Sequence, residues 1–248
     1  ITASKRGHDV TLVDDKDQLG GALLFTDKDQ NKNDLKKLKD YFIHQVEKSN
    51  VNVLLNTKAN TELLDKLQPQ VIIIAAGATP RVPNIDGAEK AYHATAVYYT
   101  PEKIGNKVVL IGGGLIGCEV ALHLEEEGKD VTIIEITDQV ARDANIFIRP
   151  TMYERMEQMK DSIHVCLKAS TTSIDEKGVT YKDENGNENF VDADTVLYAV
   201  GSAANSNVVE ELRAWDGWET FMPVGDCTGA SILRRAIHGG YYSALDII

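Results

Sequence analysis

The sequence predicts an α/β fold made of two similar units in one chain, the second inserted into the first, with a β-meander towards its end. An internal repeat carries most of this prediction, because residues 7–14 and 128–135 share the pattern G-[HK]-D-V-T-[LI]-[VI]-[DE]. In each copy a glycine typical of a helix end precedes a short apolar strand that ends on an acid. A repeated supersecondary unit indicates a duplicated architecture, so we expect one α/β unit around each copy.

The elements expected in the first unit alternate between helix and strand. Four apolar residues at helical spacing predict an amphipathic helix capped by Asn33 or Asp34, and they are Leu35, Leu38, Phe42 and Val46. Its other face carries lysines that we expect to be solvated, namely Lys36, Lys37 and Lys39. Strands are predicted at residues 51–55 and 71–77, the latter buried on both faces, with a helix at 61–67 between them.

The second unit begins with a strand at 107–111, a glycine-rich loop, a helix at 115–127 and a strand at 131–135. A further helix at 151–160, short β segments from 163 to 182 with an Asn185-Gly186 hairpin turn, and a buried strand at 195–201 follow. A final helix is expected from Ser231 to the end. We therefore assign residues 1–100 and 201–248 to the first domain and residues 101–200 to the second.

Composition excludes several functional classes. The chain has 248 residues and a formal net charge of −12, which argues against nucleic acid or an anionic membrane as a partner. No apolar run approaches the ~20 residues of a membrane span. Residues 1–7 contain neither an initiator Met nor a signal-peptide core, so we expect the chain to be part of a longer cytoplasmic protein.

Three cysteines, Cys118, Cys166 and Cys227, lie far apart in the sequence, and no C-x-x-C pair is present. This spacing gives no dithiol redox pair, iron–sulfur site or zinc site. It suits a reducing compartment, and small buried side chains are the expected role of all three.

The glycine-rich loop at residues 112–117 matches G-x-G-x-x-G directly after a predicted strand and before a predicted helix. Gly112 is expected to make the tight turn, Gly114 to let the backbone approach a pyrophosphate, and Gly117 to let helix and strand pack closely. The phosphates would lie at the helix N-terminus, over Leu115 and Ile116, where free N–H groups and the helix dipole favour an anion. The two units are therefore predicted to be Rossmann-like and to bind dinucleotides.

Glu135 follows Gly117 by 18 residues, at the end of the next strand. An acid at this position can accept a hydrogen bond from the ribose 2′-hydroxyl of NAD(H). It would also repel a 2′-phosphate, and the neighbouring residues 136–138 contain no arginine. We therefore predict NADH rather than NADPH as the cofactor of this unit.

Two further motifs are less specific. Val224, Gly225 and Asp226 form a strand end, a turn and an acid before a helix, a pattern that can offer a carboxylate to a flavin ribityl hydroxyl. Simple helix capping by Asp226 is the competing interpretation. The strand ends at Gly77 and Gly201 can bring backbone close to backbone or to a ligand, although a plain turn explains each equally well.

Taken in order, these motifs resemble the two-dinucleotide-binding flavoprotein superfamily over nearly the whole chain. More closely, the chain resembles the C-terminal half of the old-yellow-enzyme-related NADH:flavin oxidoreductases, which include 2,4-dienoyl-CoA reductase, 2-enoate reductases and trimethylamine dehydrogenase. The residues that carry the resemblance are 7–21, 76–83, 111–119, 199–201 with Asn205, and 224–240.

The resemblance implies that the first unit binds FAD and the second the nicotinamide cofactor. Asp14 would hold the FAD ribose, and the flavin site would be lined by Gly20, Gly21, Gly77 and Asp226. Electrons would pass from NADH to FAD, then through a 4Fe-4S cluster to FMN in a preceding barrel that reduces activated C=C bonds such as enoates or enoyl-CoA.

The chain departs from that pattern in lacking the barrel, the cluster cysteines and the first Gly-rich loop with its central strand. We therefore expect the isolated chain to be inactive, with weak or no FAD binding, a disturbed first sheet and a homo-oligomer that covers open strand edges. Two alternatives remain open. One is a module of an amine dehydrogenase, and the other is a non-catalytic nucleotide-binding fragment.

Overall fold

The computed structural model describes residues 1–229 and 232–248. Its strands are β1 (Thr11–Val13), β2 (Asn52–Leu54), β3 (Val71–Ile74), β4 (Ala78–Pro80), β5 (Tyr92–His93), β6 (Lys107–Ile111), β7 (Asp130–Ile134), β8 (Ile163–Cys166), β9 (Ser170–Ile174), β10 (Gly178–Lys182), β11 (Glu188–Asp192), β12 (Thr195–Tyr198), β13 (Ser202–Ala204) and β14 (Thr220–Pro223). Its α-helices are α1 (Thr2–Lys5), α2 (Asn33–Glu47), α3 (Thr61–Leu67), α4 (Ala96–Tyr99), α5 (Leu115–Glu126), α6 (Arg149–Gln158), α7 (Ser206–Arg213) and α8 (Leu233–Leu245). The predicted α/β class is confirmed.

The chain divides into two compact units. The first comprises residues 1–79 and 202–248, and the second comprises residues 80–201. The first boundary therefore lies at residue 80 and not at residue 101, because β5 pairs in parallel with β12 of the second unit. A two-residue strand gives too short an apolar pattern to be recognised from sequence.

The second unit contains a five-stranded parallel sheet in the order β5-β12-β6-β7-β8. Its centre, β6, is buried over Val108–Ile111, as expected for a parallel strand covered on both faces. The predicted β-meander is the antiparallel sheet β11-β10-β9. This arrangement brings the carboxyl ends of β6, β7 and β12 to one edge.

The first unit has a divided sheet. β1 pairs in parallel with β2, and β3 pairs in parallel with β14. Within residues 1–229 and 232–248, no strand joins these two pairs into one sheet. This is the disturbed sheet that the sequence predicts. In β3 only Ile72 and Ile74 are buried, so the predicted burial of this strand on both faces is wrong.

Three further expectations need correction. The N-cap of α2 is Lys32, without a side-chain cap bond, and not Asn33 or Asp34. Lys39 is not solvated, since its side chain is only 5% exposed and is paired with Asp27. The last helix begins at Leu233, and Ser231, where its start was predicted, lies outside the described residues.

None of the helices in the described part of the chain combines the length and the apolarity that a membrane span needs.

Candidate functional site

The glycine-rich loop connects β6 to α5, and two of its glycines are required by close contacts. Gly112 has a φ of +101°, and a Cβ there would lie 2.6 Å from the Ala199 carbonyl oxygen. A Cβ on Gly117 would lie 2.1 Å from the carbonyl oxygen of Gly112. The tight turn at Gly112 and the close helix packing at Gly117 are thus the roles that the motif predicts.

Glu135 directly follows β7 and is tied to this loop. Its Oε2 accepts a hydrogen bond from the Gly113 N–H at 2.6 Å, and its Oε1 accepts one from the Thr137 N–H at 2.8 Å. The residue is only 8% exposed. Because a carboxylate oxygen can accept more than one hydrogen bond, both oxygens retain acceptor capacity for a hydroxyl.

The N-terminus of α5 lies beside the same loop. The helix starts at Leu115 after the N-cap Gly114, and its first internal bond runs from the Cys118 N–H to the Gly114 carbonyl at 2.9 Å. The Leu115 N–H donates to Asp143 Oδ1 at 2.7 Å, while the Ile116 side chain is 49% exposed. First-turn N–H groups have no acceptor within their own helix, and the helix dipole favours a negative charge at this end, as the Asp143 carboxylate illustrates.

A cavity of about 260 Å³ lies beside Glu135 and the middle of the glycine-rich loop. Its lining consists of Gly113, Gly114, Glu135, Thr137, Gln139, Arg142 and Asp143. Sequence reasoning missed Arg142 and Asp143, which lie in a segment with neither helical nor strand periodicity. The segment is held against the loop by the Ala141 N–H, which donates to the Gly113 carbonyl at 2.7 Å.

Cys118 lies under the loop, where its thiol contacts the Gly113 carbonyl at 3.3 Å. Burial raises the pKa of this thiol to about 12. All three cysteines are free, and Cys118 and Cys227 are buried. Cys118 is therefore a packing residue and is poorly suited to thiol redox chemistry.

The two copies of the internal repeat have matching backbone contacts. The Asp14 N–H donates to Leu54, the last residue of β2, at 3.0 Å, and Asp14 Oδ1 accepts from the Lys16 N–H at 3.0 Å. Glu135 likewise donates to the last residue of β8, Cys166, at 2.9 Å. Asp14 and Glu135 therefore occupy equivalent positions in the two units, each at the end of a strand and bonded to the last residue of the neighbouring strand.

The remaining predicted site residues of the first unit fall into two groups. Gly20 and Gly21 start a 3₁₀ segment (Gly21–Asp27) after β1. Gly77 follows β3, and its carbonyl accepts from the Asn205 N–H at 3.1 Å. Gly225 and Asp226 follow β14, whose parallel pairing with β3 brings them to the same strand edge as Gly77.

Gly201 follows β12 and has a φ of +89°. Its carbonyl accepts a hydrogen bond from the Arg81 N–H at 2.9 Å. It thus closes the second unit, while Gly77, Gly225 and Asp226 belong to the first.

Residues 1–215 match the family model of the pyridine nucleotide-disulphide oxidoreductases. The chain belongs to this family. The match covers the whole second unit and residues 1–79 and 202–215 of the first, and it confirms the predicted placement among the two-dinucleotide-binding flavoproteins. The free cysteines show that this family member does not carry a disulfide in the described residues.

Two relatives of this pyridine nucleotide-disulphide oxidoreductase are similar to it over nearly the whole chain. A NADH oxidase of Thermoanaerobacter brockii is 30% identical over 255 residues, which cover 100% of this chain and 38% of the relative. A cinnamate reductase of Clostridium sporogenes is 31% identical over 251 residues, which cover 99% of this chain and 36% of the relative. The chain thus spans less than half the length of either relative.

Among solved structures, a 2-naphthoyl-CoA reductase in complex with 2-naphthoyl-CoA is similar with a TM-score of 0.90 and 28% identity. The similarity covers 99% of this chain and 37% of that one.

Proposed function

We propose that the chain is the nucleotide-binding, electron-input module of a flavin-dependent oxidoreductase and passes electrons from NADH to FAD. The observation that carries this proposal is that Gly113, Gly114 and Glu135 line one cavity, directly before the first residue of α5, and that Glu135 is hydrogen-bonded to Gly113. This combination supplies an anion site and a ribose acceptor at the spacing of a dinucleotide-binding unit.

The second unit fits NADH on structural grounds. Gly114 has no side chain to cover the first turn of α5, and the nearest atoms to a Cβ there belong to the Asp143 carboxylate at 3.3 Å. The end of α5 therefore already accommodates oxygen anions. Glu135, held by two backbone N–H groups, would accept a hydrogen bond from the adenosine ribose.

We also propose that NADH is preferred over NADPH. If the Glu135 carboxylate accepts the ribose 2′-hydroxyl, it would lie next to the 2′-phosphate of NADPH, and like charges repel strongly in a partly desolvated site. Arg142 lines the same cavity and supplies the opposite charge, which the sequence of residues 136–138 did not indicate. Glu135 is buried and accepts two backbone hydrogen bonds, whereas Arg142 is exposed. We therefore expect the charge of Glu135 to outweigh that of Arg142 and NADH to be preferred.

The first unit is proposed to bind FAD. Asp14 stands at the strand position that corresponds to Glu135, and Gly77 lies at one strand edge with Gly225 and Asp226. A carboxylate at each of two parallel-strand ends suits ribose and ribityl hydroxyls. Gly20 and Gly21 lie in the segment that follows β1 and would contribute backbone contacts.

When bound, NADH supplies a hydride and FAD accepts it. The residues of this chain would bind and orient the two cofactors, and we assign none of them a catalytic role. Glu135 would fix the adenosine end, and the N–H groups of Leu115 and Ile116 would hold the phosphates. Substrate reduction would then belong to the longer protein, and this chain by itself would be inactive.

The longer protein is proposed to reduce activated C=C bonds such as those of enoates or enoyl-CoA. The relatives named cinnamate reductase and 2-naphthoyl-CoA reductase support this substrate class over amine oxidation. FMN and a 4Fe-4S cluster are proposed for another part of the longer protein.

A reducing cytoplasm is the proposed location, supported by the three free thiols. A homo-oligomer is proposed because the two-stranded pairs β1–β2 and β3–β14 have edges that another strand can cover.

Titration of the protein with NADH, followed by nicotinamide fluorescence or calorimetry, tests the proposal. We expect saturable binding of one NADH per chain, with a Kd within the ~1 μM–1 mM range usual for enzyme cofactors and substrates. Adenosine and ADP-ribose should compete with it. Absence of saturable NADH binding would instead favour a non-catalytic fragment.

A further inference from the structure

Asp143 lies where a phosphate of the dinucleotide would be expected. Its Oδ1 accepts the Leu115 N–H at 2.7 Å, and its two carboxylate oxygens lie 3.3 and 3.5 Å from the position of a Cβ on Gly114. Gly114 has no side chain to cover the first turn of α5, and the Asp143 carboxylate lies over it instead. We propose that Asp143 is an internal competitor for the phosphate position and so sets the affinity for the dinucleotide, an inference that rests on the proposed NADH site.

The backbone on which Asp143 lies is anchored on both sides. Ala141 is fully buried, donates to the Gly113 carbonyl and has a φ of +50°, an uncommon conformation for alanine. Arg149 Nη2 donates to the carbonyls of Arg142 and Ala144 at 2.7 and 3.1 Å. These contacts hold the backbone of the segment that carries Asp143 beside the loop.

The side chain of Asp143 is free to leave this position. The residue is exposed, in contrast to its neighbours Ala141 and Ala144, which are buried. Rotation about its side-chain bonds would therefore release the Leu115 N–H without unfolding the segment. Only this rotation is needed to open the end of α5.

The size of the cavity agrees with a partly covered site. About 260 Å³ is below the ~300–1,000 Å³ of pockets that hold a whole drug-sized ligand. Asp143 forms one wall of this cavity. After rotation the negative charge of Asp143 would remain near the bound phosphates. It would therefore weaken the binding of ligands that carry phosphate and leave the binding of ligands without phosphate unchanged.

The substitution Asp143→Asn tests this role because it keeps the helix cap and removes the charge. The amide oxygen of asparagine can still accept the Leu115 N–H. We expect the affinity for ADP-ribose to rise on the order of tenfold relative to the wild type, while the affinity for adenosine stays the same. Asp138→Asn, an exposed acid of the same segment, is the matched control and should change neither affinity.

A second variant, Asp143→Ala, removes both cap and charge. It should lower the thermal midpoint and still bind ADP-ribose more tightly than the wild type. Equal or weaker binding of ADP-ribose by Asp143→Asn, with clear binding by the wild type, would overturn the role of Asp143 and leave the NADH site intact. If neither protein binds ADP-ribose, the NADH site and the role of Asp143 are both overturned.

Discussion

The carboxylate of Glu135 and the backbone of Gly113 are joined by a hydrogen bond of 2.6 Å between Oε2 and the N–H. The bond links the end of β7 to the loop before α5, so that the proposed ribose acceptor and the proposed phosphate loop form one structural element. It is buried, which strengthens a charge-assisted bond relative to one in water. Binding of the adenosine ribose and binding of the phosphates should therefore depend on each other.

Replacing Glu135 by alanine removes the ribose acceptor. We expect Glu135→Ala to weaken NADH binding by ~1.5–3 kcal/mol, the value of a hydrogen bond to a charged group. Because Arg142 remains in the cavity, the preference for NADH over NADPH should also shrink. Calorimetric titration with both nucleotides measures these effects. Asp138→Ala is the control, and unchanged NADH affinity in Glu135→Ala would show that the ribose contact is misassigned.

A methyl group on Gly117 has no room, since its Cβ would lie 2.1 Å from the Gly112 carbonyl oxygen. Gly117→Ala should therefore lower the free energy of unfolding by ~1–3 kcal/mol through overpacking and displace the phosphate loop. Gly240→Ala in α8 is the matched control, because its Cβ would meet no atom within 4 Å. Urea unfolding and NADH titration together measure the difference. Equal stability of the two variants would contradict the packing role of Gly117.

The thiols are expected to differ in reactivity. Burial raises the pKa of Cys118 to about 12, so its thiolate is scarce at pH 8, and Cys227 is also buried. Only Cys166, which is partly exposed, should react quickly with a thiol reagent in the native protein. All three should react in denaturant. The variant Cys166→Ser should lose the rapid reaction with the reagent. A rapid reaction that persists in this variant would show that Cys118 or Cys227 is accessible.

Stability should fall in acid through Asp27. Hydrogen bonds from Lys36 and Lys39 hold the pKa of the Asp27 carboxyl below its ordinary value. The unfolded chain therefore binds the proton more readily. The stabilising contribution is complete above the unfolded pKa of ~3.9 and is lost as the pH drops through the lower folded pKa. The free energy of unfolding can be measured with urea between about pH 2 and pH 6. It should fall less steeply with decreasing pH in Asp27→Asn than in the wild type.

Asp34→Asn provides the control for that series, because the Asp34 side chain is 99% exposed. Its decline with falling pH should match the wild type. A decline in Asp27→Asn as steep as in the wild type would assign the acid sensitivity to other carboxylates.

Flavin content provides a separate prediction for the first unit. The pairs β1–β2 and β3–β14 belong to separate sheets, so the residues at their ends lack the support of one continuous sheet. We expect the purified chain to carry much less than one equivalent of FAD, measured by flavin absorbance after denaturation. Near-stoichiometric FAD would show that the divided sheet is sufficient for binding.

The sequence by itself determined the fold class, the approximate positions of the longer helices and of strands β6 and β7, and the positions of the glycine-rich loop and Glu135. These features depend on local patterns, namely a glycine spacing, an apolar strand and an acid that follows it. The internal repeat was equally visible, and the matching contacts of Asp14 and Glu135 confirm its structural meaning.

Tertiary structure alone decided which distant residues meet these motifs. Arg142 and Asp143 reach the cavity because an irregular segment folds back onto Gly113, and Lys39 is buried because Asp27 lies beside it. Strand β5 pairs with β12, which lies more than 100 residues further along the chain. Such contacts arise from chain packing between residues that share no periodic pattern, so the sequence does not display them before the chain is folded.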